Sequence, residues 1–104
     1  MTLAVVNPGV CGMDTTIAVT KLSKQQFSVE VTTACEMITK LGELLSEIDL
    51  ADILKPQIHS TVYQYASECQ VHLSCPIPMA ILKVIEVEAA LALPRTVTVH
   101  FQSS

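Results

Sequence analysis

Thr16-Ile17-Ala18-Val19-Thr20-Lys21-Leu22 and Phe27-Ser28-Val29-Glu30-Val31-Thr32-Thr33 decide the fold, because both segments alternate apolar with polar residues and only Ser23-Lys24-Gln25-Gln26 separates them. A two-residue period sends successive side chains to opposite faces of a strand. Ile17 and Val19 therefore share one face, as do Phe27, Val29 and Val31, with Ser28, Glu30 and Thr32 opposite. The pair reads as an antiparallel hairpin with one buried and one wet face.

Upstream, residues 3–6 read as a short strand closed by Asn7-Pro8-Gly9, a turn in which proline fixes φ and glycine tolerates positive φ. Downstream, Thr33-Ala34-Cys35-Glu36 has the form of a capping box and predicts a helix over 34–48, with Ile38, Leu41, Leu44, Leu45 and Ile48 at helical spacing. Asp49 and Asp52 interrupt the pattern ahead of Pro56. A second helix is expected over 56–69, carrying Ile58, Val62, Tyr65, Ala66 and Cys69 on one stripe. A third is expected over 78–91, with Ile81, Leu82, Ile85, Glu88 and Ala89 on its stripe and Pro94 closing it. Thr96-Val97-Thr98-Val99-His100-Phe101 alternates again and predicts a final strand with Val97, Val99 and Phe101 inward. The expected fold is a single α+β domain over 1–104. It has two layers, a small antiparallel or mixed sheet of hairpin plus C-terminal strand, and three helices on one face.

Composition narrows the function classes. The net charge is −4 with only six basic residues, which argues against nucleic-acid binding, since that depends on clustered Lys and Arg. Half of the residues are apolar and 15% charged. Such a surplus predicts a self-associating surface, and a homo-oligomer is expected. Lys83, Glu86 and Glu88 interrupt the longest apolar stretch, so no membrane span is expected. The first residues lack the basic region of a targeting segment, and a cytoplasmic location with reduced cysteines follows as the expectation.

Chemistry concentrates in the cysteines. His72-Leu73-Ser74-Cys75-Pro76-Ile77-Pro78 brings a thiol and an imidazole to the mouth of the third helix, where unpaired N–H groups bias a cysteine toward thiolate. Cys11 lies in the Pro8-Gly9-Val10-Cys11-Gly12 turn and Cys35 opens the first helix, whereas Cys69 reads as a small buried hydrophobe. Cys11, Cys35, His72 and Cys75 supply three thiols and one imidazole, the donor set of a tetrahedral zinc site or of an iron site. Nucleophilic chemistry would instead use the Cys75 thiol with His72 as its base. A third reading makes every cysteine packing and the protein an oligomeric scaffold without chemistry.

Two resemblances bear on these residues. Pro8-Gly9-Val10-Cys11-Gly12, Cys35, Cys75-Pro76-Ile77-Pro78-Met79-Ala80-Ile81-Leu82-Lys83 and Leu91-Ala92-Leu93-Pro94 resemble the motifs of a family of small uncharacterised prokaryotic proteins, a resemblance that implies no activity. Cys75-Pro76-Ile77-Pro78 is also similar to the helix start of TusA-like sulfur carriers, in which the motif's cysteine carries a persulfide. That likeness covers the final third of the chain and implicates Cys75 alone.

Overall fold

The computed structural model describes residues 1–103. Strands β1 (Thr2–Val6), β2 (Thr15–Lys21), β3 (Gln26–Thr32) and β4 (Glu47–Asp49) form one antiparallel sheet in sequential order. The alternation read from the sequence is the register observed: Ile17 faces Val31 and Val19 faces Val29 across the hairpin. Ile17, Val19, Phe27 and Val29 are buried.

Helices α1 (Glu36–Leu44), α2 (Thr61–Glu68) and α3 (Ile77–Glu88) cover that face, with α1 on β3, α3 on β1 and β2, and α2 between the two helices. Ile38 and Leu41 of α1, Val62 and Ala66 of α2, and Ile77, Ile81, Val84 and Ile85 of α3 close the core over the strands. Contact between α1 and β3 is close at Gly42, where an added Cβ would lie 3.0 Å from Val31 Cβ.

Five expectations are corrected. The first helix stops at Leu44, and Ile48, buried at 3% exposure, belongs to β4 opposite Phe27. One apolar residue at helical spacing satisfies either element, and pairing with the free side of β3 decides it. Thr33 does not cap α1. Cys35 is the N-cap and makes no side-chain capping bond, while Thr33 Oγ1 accepts from the Cys35 N–H at 3.1 Å. The second helix begins only at Thr61, capped by Ser60, whose Oγ accepts from the Tyr63 N–H. Pro56 opens a separate 3-10 turn (Gln57–His59), leaving Ile58 at 82% exposure rather than on the core stripe. Residues 96–101 form no strand: β1 and β4 hold the sheet edges, and Val97, Val99 and Phe101 are exposed.

Helix α3 ends at Glu88, earlier than residue 91, where Ala90 takes a left-handed φ of 61° and the Leu91 N–H bonds the Glu86 carbonyl at 2.8 Å.

Candidate functional site

Register and helix direction fix where the cysteines fall. Val6 pairs with Thr15, and Thr16 with Thr32, so the β1–β2 loop carrying Cys11 and the β3–α1 junction carrying Cys35 leave the sheet at the same end. Thr15 Oγ1 donates to Thr33 Oγ1 at 2.9 Å and ties the two connections together.

The direction of α3 is set by Glu88 at its last turn. The Thr2 hydroxyl donates to one Glu88 oxygen at 2.7 Å, and the Lys21 N–H donates to the other at 2.9 Å. The N-terminal ammonium stands 3.4 Å from the same carboxylate. Thr2 and Lys21 mark the opposite end of the sheet from Val6 and Thr15. Twelve helical residues span about 18 Å, close to the length of the seven-residue strand β2. The start of α3, with Cys75, therefore lies at the end that carries Cys11 and Cys35.

The surroundings of the three thiols differ. Cys11 is exposed in a loop whose Gly9 and Gly12 adopt φ of 88° and 67°, values an L side chain rarely takes. Cys35 and Cys75 are half-buried and pack against the core. The Ile77 N–H donates to the Cys75 sulfur. Burial nevertheless pushes the Cys75 thiol above its ordinary pKa, and the charges of Cys11 and Cys35 push it the same way against that single amide. The thiolate bias expected of a helix N-terminus is thus reversed. Pro76 and Pro78 contribute no N–H, and desolvation outweighs what remains.

His72 sits apart in role. Its carbonyl accepts the Cys75 N–H at 3.0 Å, forming the tight turn before α3, while its side chain is exposed. Among the described residues, no three His, Cys, Asp or Glu side chains stand together as a ready-made metal site. Cys69 caps the C-terminus of α2 and shares a cleft with Lys40, Glu43 and Leu44 on the last turns of α1, away from the Cys35 end. It is half-buried against the core, as a packing residue.

Residues that position the thiols escaped the sequence reading. Thr15 is buried at 1% exposure, and only its hydroxyl network explains a polar residue there. Glu88 carried a visible signal, a carboxylate on the apolar stripe of α3, whose partners come from β1 and β2.

Sheet, helices and cysteine-bearing end together define a compact α+β domain, and no described helix is long and apolar enough to cross a membrane. The chain belongs to a family of unknown function (DUF6951), whose model matches residues 2–101. No curated protein and no solved structure matches it.

Proposed function

We propose that the protein holds or delivers a soft transition-metal ion, zinc or iron, at the end of the sheet formed by Cys11, Cys35 and Cys75. One observation supports this reading: Cys11, Cys35 and Cys75 come from three separate chain segments that strand register and the Glu88 anchor of α3 bring to the same end of the sheet. Three thiolates brought together repel one another, and a divalent cation removes that repulsion while gaining ligands of the softness it prefers. The exposed Cys11 loop closes the remaining distance on binding, and His72, exposed and three residues before Cys75, swings in as the fourth ligand.

Metal analysis of protein made without a histidine tag and grown with zinc and iron tests the reading. About one ion per chain is expected, with metal lost in Cys11→Ser, Cys35→Ser and Cys75→Ser and kept in Cys69→Ser. Metal-free protein that takes up neither zinc nor ferrous iron on titration overturns it.

A second reading rests on the Ile77 N–H aimed at the Cys75 sulfur and on the likeness of Cys75-Pro76-Ile77-Pro78 to TusA-like carriers. Here the Cys75 thiolate accepts a sulfane sulfur from a persulfide donor, the donor leaves as its thiolate, and Cys75 carries the new persulfide. Mass spectrometry of protein incubated with a low-molecular-weight persulfide checks it, the expected adduct being one sulfur atom on Cys75. No adduct there removes this reading.

A further inference from the structure

Two elements of this fold are each left without a partner, and they complement one another. Among the described residues strand β1 is paired only with β2, so its second row of backbone N–H and C=O groups faces an open edge. Residues 96–103 belong to no regular element, and among the described residues their backbone groups make no hydrogen bond. This segment has the alternation of a strand, with Val97, Val99 and Phe101 at 52, 78 and 91% exposure. It also lies almost wholly within the family match, which runs to residue 101, so it is part of the domain rather than an appendage.

The surface beside β1 suits that segment. At about 100° per residue, the half-buried Ala80 and Val87 share one flank of α3, beside the core residue Val84. Leu82 and Glu86 lie on the other, in a cleft with Ile53 and Tyr63 on the α2 side. Because α3 rests on β1 and β2 with α2 on its inner side, the Ala80–Val87 flank overhangs the open edge of β1. A strand added there would lay alternate apolar side chains under a flank made of alanine and valine. Its backbone would satisfy the free row of β1.

We propose that the protein is a two-fold dimer in which residues 96–101 of each chain add a strand to β1 of the other, packing Val97, Val99 and Phe101 under α3. Reciprocal exchange closes the assembly at two copies and leaves neither β1 edge open.

Sedimentation of the full chain beside a Thr98→Pro/Val99→Pro variant tests the exchange. Adjacent residues of a strand point their N–H groups to opposite sides, so the double proline removes a donor toward β1 whichever of the two faces it. Both positions are exposed and outside the core, so the circular dichroism of the domain should stay unchanged. The expected result is wild-type protein at twice the 11.3 kDa chain mass and the variant at the single-chain mass. Hydrogen exchange supplies a second readout, with amides 96–101 protected in wild type and losing protection on dilution. A wild-type monomer up to millimolar concentration overturns the proposal, whether or not a different protein covers the edge. So does a dimer that the double proline leaves intact, or a segment whose amides exchange freely in the dimer.

Discussion

Thr15 and Thr33 meet hydroxyl to hydroxyl at 2.9 Å, and this bond links the loop that carries Cys11 to the residue that positions Cys35. Thr15 Oγ1 also stands 3.1 Å from the Met13 carbonyl, and Thr33 Oγ1 accepts the Cys35 N–H at 3.1 Å. A chain of hydrogen bonds thus runs from one cysteine connection to the other across the sheet end. Thr15 is the buried member, so its hydroxyl cannot be replaced by water without opening the core.

Thr15→Val keeps the shape and removes the hydroxyl, whose single hydrogen serves either Thr33 Oγ1 or the Met13 carbonyl, so the network loses its buried link. A loss of about 1–3 kcal/mol is expected from the denaturant midpoint. Thr15→Ser, which retains the hydroxyl, should recover most of it. A Thr15→Val variant as stable as wild type beside a destabilised Thr15→Ser would mean that γ-methyl packing, not the bond, is what matters at this position.

The hairpin was legible because Ile17, Val19, Phe27 and Val29 alternate, and a two-residue period with one apolar face admits few other structures. Ile48 was not, since a single apolar residue seven after Leu41 satisfies a helix and a three-residue strand alike; only the free side of β3 decides. Residues 96–101 show the converse. Their alternation is a real strand preference, but a strand exists only against a partner, and a single chain's sequence does not say where that partner is. The cysteines were legible one by one as residues at element ends. That all three fall at one end of the sheet depends on the direction of α3, which rests on contacts from Glu88 to residues 67 and 86 positions away in sequence.

Gly42→Ala sets two effects against each other. Alanine favours a helix interior over glycine by about 1 kcal/mol. Here its Cβ would meet Val31 Cβ at 3.0 Å and Val31 Cγ2 at 3.2 Å, and Val31 Cβ is fixed to a strand paired with β2. Overpacking of this kind costs about 1–3 kcal/mol, so a net loss is expected in thermal or denaturant unfolding. A variant more stable than wild type would show that α1 can lift off β3 at little cost.

Glu88 makes stability depend on acid pH. Hydrogen bonds from the Thr2 hydroxyl and the Lys21 amide hold its carboxyl below the usual range against a smaller opposing effect of burial, with the N-terminal ammonium adding to the lowering. A carboxyl depressed in the folded state contributes stability that is present above its unfolded pKa of about 4.3 and is lost as pH falls through the lower folded value. Wild type should therefore lose stability more steeply than Glu88→Gln below about pH 4.3, with the two midpoints converging in stronger acid. A gap between them that is the same at pH 7 and in acid would assign the effect to shape rather than charge.

Cys75 reactivity separates the two chemical readings of the site. Burial raises its thiol above the ordinary range, and the charges of Cys11 and Cys35 add to this while the Ile77 amide opposes it. Access is also restricted, because Cys75 packs against the core whereas Cys11 is exposed. In metal-free protein, competitive alkylation followed cysteine by cysteine should label Cys11 well ahead of Cys75 at neutral pH. The Cys75 rate should climb only as pH passes its usual thiol range, since the thiolate is the reacting form. Such a thiol is a poor resting nucleophile and a good latent ligand, released to the anion when a cation arrives. A Cys75 that labels ahead of Cys11 at neutral pH would overturn the raised pKa and favour the persulfide reading over the metal reading. Added zinc supplies the complementary arm: it should protect Cys11, Cys35 and Cys75 together and leave Cys69 labelling unchanged, a pattern that packing roles alone do not produce.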